Sequence, residues 1–285
     1  MLSSITKTQK PSFNDKEILS KTKVTIEKIG AAISIIAETP RIIIRPVIPE
    51  DVPFYQNLLW GSERVMEKFA DSATRLYKDE DSKQKGIVDY AQNRIVDAED
   101  SWCARWQSGN PWSGMTVIDK KTNNPIGHVV IGGGELAYLF IPEAWGKRFG
   151  SESVTVLTKA ILPCLVMSGY AQRLPEVIEA TTRTDHVASQ TVLARADLAS
   201  DGQINKRKFG DKEFERFIFK APVAELVRKY KDIKHEERQR KNNKAPQFSL
   251  PLYRLKSSSK AGKIDEVNIG GHSLRATKKR RKIFS

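Results

Sequence analysis

The sequence predicts a mixed α/β fold with a mostly antiparallel central sheet and helices on both of its faces. The first observation is the order of segments between Ile126 and Leu165, which is a strand, a glycine turn, a second strand, a turn and an apolar helix. The second is the succession of strand-like and helix-like runs across residues 41–220. The third is the composition, since 39% hydrophobic and 29% charged residues are typical of a globular protein.

The individual elements follow from apolar spacing and from the residues that end each run. Before the glycine turn, we expect a strand over 41–45, a helix after Pro49 that contains Phe54, a helix over 86–105 and a strand over 112–118. Around the turn come strands over 126–131 and 135–141 and a helix over 151–165. A strand over 177–182, a helix over 186–196, a hairpin over 203–220 and a helix over 223–241 complete the prediction.

The turn into the 151–165 helix has the properties of an anion site. Ser151 and Glu152 suit a helix start, and Gly146 and Gly150 flank it. Free backbone N–H groups at a helix N-terminus, with Lys147 beside them, favour a phosphate or pyrophosphate. The sequence therefore predicts phosphate binding at this turn.

Three ordered segments resemble the GNAT N-acetyltransferases, particularly the branch that includes the Rim-type ribosomal-protein alanine acetyltransferases. The segment PEAWGKRFGSESV at 142–154 resembles the acetyl-CoA loop of that family. ETPRIIIRPVIPEDV at 38–52 is similar to its opening strand and first helix, and HVASQTVLARADL at 186–198 resembles a later helical segment. The resemblance spans roughly residues 38–220 and implies a GNAT-type sheet.

The resemblance also implies how acetyl-CoA is bound. Main-chain groups of β-strand residues would contact the pantetheine, and the loop would hold the pyrophosphate, with Ser189 as a further contact. His186 is either another contact, in place of the family's Asn, or a histidine at the helix start with no role. The strand residues are Tyr138, Leu139, Phe140 and Ile141. The loop residues are Trp145, Gly146, Lys147, Arg148, Phe149, Gly150 and Ser151.

Direct acetyl transfer to an amine needs a base and a path for the released proton, but no metal and no covalent nucleophile. The resemblance makes Glu135 the first candidate for the base, because family members often carry a carboxylate on this strand; the alternative is an edge or turn carboxylate that faces solvent. Glu179 on the next strand is the second candidate. Ser189 would contact the cofactor or relay a proton, or is a small residue on a packed helix. The implied acceptor is the α-amine of a protein or peptide, with small amines as an alternative.

Four positions depart from the family pattern. Arg148 and Asp197 each stand where the family usually has glycine, His186 replaces Asn, and Leu198 replaces Phe. Arg148 needs a permissible φ, although its charge adds a donor for phosphate. These departures keep a second hypothesis open, in which the chain is a catalytically degenerate GNAT-fold binding protein.

Two aromatic and thiol features have alternative interpretations. Trp102, Trp106 and Trp112 line an acceptor pocket or belong to the core. Cys103 and Cys164 show no metal spacing and no disulfide framework, so we expect no structural metal and a reducing, cytoplasmic location. No apolar run near the N-terminus is long enough to span a bilayer, and no membrane span is expected.

Most of the net positive charge of the chain lies in its C-terminal residues. Residues 222–285 carry 18 Lys and Arg against 6 Asp and Glu, which gives +12 of the total +14. We divide the chain into an N-terminal extension at 1–36, an acetyltransferase domain at 37–221 and a basic, partly disordered tail at 222–285. The tail ends near the cluster Lys278–Lys282, which would contact nucleic acid or an acidic surface, direct nuclear or host-cell targeting, or simply solubilise the chain.

Overall fold

A computed structural model describes residues 15–67, 69, 80–170, 174–209 and 212–244. They belong to one compact unit that ends at Lys244. A second unit begins at Ala245 and lies outside the described residues, as does the predicted cluster at 278–282.

One central sheet contains the strands of the described chain. These are β1 Lys23–Ile29, β2 Ala32–Glu38, β3 Ile42–Pro46, β4 Met115–Asp119, β5 Asn124–Gly132, β6 Glu135–Phe140, β7 Val177–Arg183, β8 Ile204–Phe209 and β9 Lys212–Pro222. Their spatial order is β1-β2-β3-β4-β5-β6-β7-β9-β8. The β6–β7 pair is parallel and the other neighbours are antiparallel. The predicted mixed, mostly antiparallel sheet is confirmed.

Helices of the described chain connect these strands. They are α1 Asp15–Lys21, α2 Val52–Phe54, α3 Glu63–Met66, α4 Glu80–Gln92, α5 Trp102–Gln107, α6 Phe149–Val156, α7 Leu162–Ser168, α8 Val187–Arg195 and α9 Val223–Lys244. Short 3-10 and π-helical turns extend them: Pro49–Asp51 and Tyr55–Leu59 flank α2, Asn93–Asp97 follows α4, and Leu157–Ile161 joins α6 to α7.

Helices cover both faces of the sheet, as predicted. Side chains of successive strand residues point to opposite faces. On β4, Thr116 bonds to Asp51 beside α2, whereas its neighbour Met115 lines a small apolar cavity together with Leu162 of α7. The segment around α2 therefore lies on one face, and the α6–α7 helix lies on the other.

The first hairpin corrects the predicted domain boundary. The boundary between residues 36 and 37 falls inside β2, and the hairpin formed by β1 and β2 extends the same sheet. Ile33 and Ile35 are buried in the core, and Gly30 makes the turn with a φ of +62°. The described part of the N-terminal extension therefore belongs to the domain, because burial of alternate apolar side chains requires the sheet beneath them.

The C-terminal boundary needs the same correction. The predicted helix at 223–241 is present as α9, which begins immediately after β9 ends. Val223 and Leu226 are buried in the core, so the first turns of the basic tail pack on the domain. Residues 222–244 therefore continue the same unit.

Two predicted elements have different bounds. The helix expected over 86–105 begins at Glu80 in α4 and is interrupted at Ala98, where the backbone is extended. Ser101 then caps α5 by accepting from the N–H of Ala104. The strand expected from residue 112 begins at Met115, and just before it the hydroxyl of Ser113 donates to the carbonyl of Trp102 over 2.9 Å.

Among the described residues, one helix, Phe149–Ser168, has the length and apolar composition needed to cross a membrane. However, 78% of that window is buried inside the fold. This burial is typical of the core helix of a folded domain.

A buried polar chain links α2 to the middle of the sheet. The hydroxyl of Tyr55 lies 2.8 Å from Nδ1 of His128 and 3.3 Å from Oγ1 of Thr116. Thr116 donates to Asp51 over 2.7 Å, and Asp51 forms a bidentate pair with Arg45. Burial lowers the pKa of His128 to about 3, so its ring is neutral at physiological pH.

This histidine predicts an acid-dependent loss of stability. Unfolding returns His128 to a pKa of about 6.5, so between about pH 6.5 and 3 the unfolded chain binds a proton that the folded chain does not. The free energy of unfolding should therefore decrease as the pH is lowered from about 6.5 to about 3, and this residue should contribute up to about 1.4 kcal/mol per pH unit. Denaturant titrations at several pH values should show a shallower fall for His128→Gln. Equal slopes for the variant and the wild type would contradict the assignment.

Candidate active site

The site is built around the place where β6 and β7 separate. The two strands share one registered pair, Glu135 with Glu179, and the N–H of Glu179 donates to the carbonyl of Gly134 over 2.9 Å. Beyond this pair, the described residues of β6 and β7 form no further ladder. We call the resulting gap, between residues 136–140 and 180–183, the β6–β7 opening.

The predicted strand, turn and helix are present at one end of this opening. β6 ends at Phe140, Pro142–Ala144 makes a 3-10 turn, and α6 begins at Phe149. The connecting loop is held by the indole of Trp145, which donates to the carbonyl of Phe140 over 2.7 Å. The helix N-terminus therefore lies directly after the strand that borders the opening.

The loop contains two residues in the left-handed region. Gly146 has a φ of +70°, and Arg148 has φ +66° and ψ +12°. Arg148 stands where the family usually has glycine, and it adopts the conformation that glycine adopts readily. The backbone at residue 148 therefore has a conformation that glycine would also allow.

The loop fits a phosphate. The N–H of Glu152 donates to the carbonyl of Arg148 over 3.0 Å, so the N–H groups of Phe149, Gly150 and Ser151 precede the first intrahelical bond. The exposed Lys147 stands beside them. Arg195 on α8 reaches Oγ of Ser151 at 3.5 Å. Amide donors, a helix dipole and nearby cations thus converge on one point.

Sequence reasoning missed the arginine that braces this loop. Arg41 donates to the carbonyl of Lys147 over 2.8 Å, lies 4.3 Å from the ring centre of Phe149, and is 3.4 Å from a carboxylate oxygen of Glu152. Glu152 is buried, and its other oxygen accepts from Thr39 over 2.6 Å. The charged Glu152 within an apolar helix was the available signal, because a buried carboxylate requires a partner.

Across the opening, Tyr138 of β6 meets Ser189 of α8. Their hydroxyl oxygens are 2.7 Å apart, and the Tyr138 hydroxyl also donates to the carbonyl of Ser189 over 3.2 Å. Burial raises the pKa of Tyr138 above its usual range, so the phenol stays protonated. The structure therefore brings together two predicted site residues from separate segments.

The two carboxylate candidates lie together on the other face of the sheet. Glu135 is exposed and Glu179 is half-buried. Because they are a registered pair, their side chains point to the same face, whereas Tyr138 points to the opposite one. Lys220, from the facing position on β9, lies 2.7 Å from an oxygen of Glu179. The candidate base and the Tyr138–Ser189 pair thus lie on opposite faces of the sheet.

The α8 departures have distinct structural roles. His186 is the N-cap residue of α8, and its carbonyl accepts from the N–H groups of Ser189 and Gln190. Asp197 has a φ of +64° and pairs with Lys159 at 2.8 Å and with Lys229 at 3.2 Å. Burial alone would raise the pKa of Asp197, but the bonds and charges of the two lysines hold it below its usual value.

The tryptophan and cysteine features belong to the core. Trp102 is buried and stacks on His128 with ring centres 4.6 Å apart, and Trp106 donates to the carbonyl of Gly114. Trp112 packs partly buried against the same core. Burial raises the pKa of Cys103, so its thiol stays protonated at neutral pH. Among the described residues, no group of three His, Cys, Asp or Glu side chains could hold a metal ion.

The left-handed conformation of residue 148 can be tested directly. Arg148→Gly and Arg148→Ala both remove the guanidinium, but only alanine keeps a Cβ at positive φ. We expect the glycine variant to be the more stable of the two by about 1 kcal/mol. Thermal or denaturant unfolding measures the difference, and an alanine variant as stable as the glycine variant would contradict it.

Comparisons with known proteins agree with this geometry. The family described as "Acetyltransferase (GNAT) domain" matches residues 41–199. No match was found among the curated proteins. Similar solved structures include a GNAT-family acetyltransferase from Bacillus anthracis, with 16% identity, coverage of 66% of this chain and 99% of that chain, and a TM-score of 0.47.

Two further structures have similar statistics. The ribosomal-protein α-N-acetyltransferase RimL, in complex with coenzyme A, has 13% identity, covers 65% of this chain and 95% of its own, and has a TM-score of 0.48. A spermidine N-acetyltransferase from Vibrio cholerae has 13% identity, 65% and 96% coverage, and a TM-score of 0.43. The assignment itself rests on the family match, which spans more than half of the chain. The chain therefore belongs to the GNAT family of acetyl-CoA-dependent acetyltransferases.

Proposed function

We propose that this chain is an N-acetyltransferase that moves an acetyl group from acetyl-CoA to the α-amine of a protein or peptide. Transfer would be direct, within a complex of enzyme, acetyl-CoA and acceptor. The observation that carries the proposal is the β6–β7 opening with a phosphate-binding helix N-terminus at its end.

Acetyl-CoA, when bound, supplies the acetyl thioester. Main-chain groups of residues 138–141 would hold its pantetheine, because this part of β6 has no ladder with β7. Backbone N–H groups across residues 146–151, with Lys147 and Arg148, would hold its pyrophosphate. His186 and Ser189 would border the same cofactor at the start of α8.

The face opposite Tyr138 suits the acceptor. It carries Glu135 and Glu179 at the point where the strands separate. One oxygen of Glu179 is already engaged by Lys220. The proposal assigns Glu135, the more exposed of the two carboxylates, as the general base that removes a proton from the amine, directly or through water, and Glu179 as a second carboxylate beside it. The Tyr138–Ser189 hydroxyl pair, on the opposite face of the sheet, would relay a proton to the leaving thiolate of coenzyme A.

The resemblance of the 142–154 motif and of Ser189 to the Rim-type branch supports an α-amine as the acceptor. The proteins named by the similar structures act on a ribosomal protein in one case and on spermidine in the other. The acceptor screen should therefore include both peptides with free α-amines and a polyamine.

The cofactor site predicts a binding result with a closely matched control. Gly146 and Gly169 both have a φ of +70°, and a Cβ at either position would meet no atom within 4 Å. Alanine should therefore strain both positions similarly, by about 1 kcal/mol. In calorimetric titrations of the full chain, acetyl-CoA should bind to the wild type and to Gly169→Ala and bind more weakly to Gly146→Ala. Absence of binding to the wild type would reject the enzyme in favour of a degenerate binding protein.

The base assignment predicts a pH-dependent defect. With a library of peptides carrying free α-amines, Glu135→Gln should lower kcat by about 100-fold or more near pH 7 and leave acetyl-CoA affinity unchanged. The defect should shrink as pH rises, because more of the amine is deprotonated without help. Glu179→Gln is the control and should have a smaller effect. Equal defects in the two variants, or a defect independent of pH, would contradict the role of Glu135.

A further inference from the structure

The short segment around α3, residues 62–67, lies between the separated ends of β6 and β7. It has a contact with each side. These contacts involve residues one helical turn apart, Arg64 and Glu67. We call residues 62–67 the strap.

One contact joins the strap to the loop after β6. The guanidinium of Arg64 lies over the ring of Trp145, 5.1 Å from its centre. Trp145 is 43% exposed, but its indole N–H is fixed on the carbonyl of Phe140, the last residue of β6. Movement of Arg64 is therefore linked, through one ring, to the end of β6.

The other contact joins the strap to the end of β7. Arg183, the last residue of β7, donates to the carbonyl of Glu67 over 3.4 Å. Its guanidinium is oriented by two bonds to Asp185, at 3.0 and 2.8 Å, and stacks over Phe214 at 4.7 Å. The side chain of Arg183 is on the same face of the sheet as that of Glu179, because the two residues are four positions apart on one strand and side chains alternate between the faces.

The strap itself is anchored. Val65 and Met66 are buried in the core, and Ser62 caps the segment by accepting from the N–H of Val65. Glu63 pairs with Lys83 of α4 at 2.6 Å. A fixed segment that holds both sides of a gap limits how far the gap can widen.

We propose that Arg64 and Arg183 are positioning residues that set the width of the β6–β7 opening by tying its two sides to the strap. The opening needs such a device, because one registered pair is the whole ladder between the described residues of these strands. The Tyr138–Ser189 pair bridges the opening on one face, and the strap bridges it on the acceptor face. The inference rests on the proposed function in one respect, which is that acetyl-CoA occupies this opening.

The strap should slow the release of coenzyme A. A cation over an exposed aromatic ring is a modest interaction, so its loss should accelerate release by about 2- to 5-fold. Loosening should also increase amide hydrogen exchange in residues 138–145 and 180–183, with or without coenzyme A.

The experiment compares five variants of the full chain by hydrogen exchange and by stopped-flow release of coenzyme A. They are Arg64→Gln, Arg64→Lys, Arg183→Gln, the double variant of Arg64→Gln with Arg183→Gln, and Arg228→Gln. Arg64→Gln should increase both exchange and release, and Arg64→Lys should restore most of the wild-type behaviour because lysine keeps the cation. Arg228→Gln is the matched control, since this exposed arginine pairs with Asp232 on α9. Hydrogen exchange and coenzyme A release in the double variant with Arg183→Gln should be little faster than in Arg64→Gln alone. Loss of either contact already breaks the link that the strap makes between β6 and β7.

Each outcome decides the inference. Wild-type exchange and release in Arg64→Gln would overturn it, as would full additivity of Arg64→Gln and Arg183→Gln or an equal effect of Arg228→Gln. If the wild type does not bind coenzyme A, the proposed function fails, whereas exchange in residues 138–145 and 180–183 still decides the role of the strap. Trp145→Phe provides a second variant: it keeps the ring under Arg64 but loses the bond to Phe140, so it should also increase exchange at the end of β6.

Discussion

The single registered pair between β6 and β7 is the constraint on which the site depends. Each backbone N–H and C=O needs a partner when water is excluded, and a parallel neighbour would normally supply it. Past Glu135, β6 pairs with β5 on one side, and its other side faces the opening. An extended ligand with amide groups can therefore take the place of the missing strand. The helix N-terminus after β6 lies at the end of the same gap and has free N–H groups that suit a phosphate, so one topological break positions both halves of the proposed cofactor site.

The two glycine positions that differ from the family show that a motif can change while its backbone persists. Arg148 and Asp197 both adopt positive φ, at +66° and +64°. A non-glycine residue there costs about 1–2 kcal/mol. At Asp197, the ion pairs with Lys159 and Lys229 offset that cost. At Arg148, the side chain adds positive charge next to a phosphate site. These changes are therefore compatible with an adapted site, although the sequence alone made them grounds for suspecting a degenerate one.

Local patterns predicted what local physics determines. Alternation, the glycine turn and the apolar spacing after it predicted β5, β6 and the continuous helix Phe149–Ser168 within a few residues, because turn residues mark the ends of these segments. The predicted boundary between residues 36 and 37 excludes most of the hairpin of β1 and β2 from the domain. The sequence alone does not correct it, because a short apolar run fits a helix or a strand equally well until its partner in the sheet is known. The brace from Arg41 to Lys147 and the strap contact from Arg183 to Glu67 span 106 and 116 residues of sequence. Sequence periodicity carries no information on contacts between residues so far apart in the chain, so these two contacts could be identified only from the structure.

The terminal helices α1 and α9 are tied by ion pairs to the helix that begins with α6 and to the turn after α8, which border the candidate site. Lys159 lies in the π-helical turn that joins α6 to α7, and it pairs with Asp15 of α1 as well as with Asp197. Asp197 in turn holds Lys229 of α9, and Leu226 is buried beside it in the core. The N-terminal helix, the C-terminal helix and the turn after α8 are thus linked through the ion pair of Lys159 with Asp197. Because α6 presents the N–H groups of the proposed phosphate site and α8 carries Ser189, removal of either terminal helix would expose apolar core surface and loosen the two helices that border the proposed cofactor site.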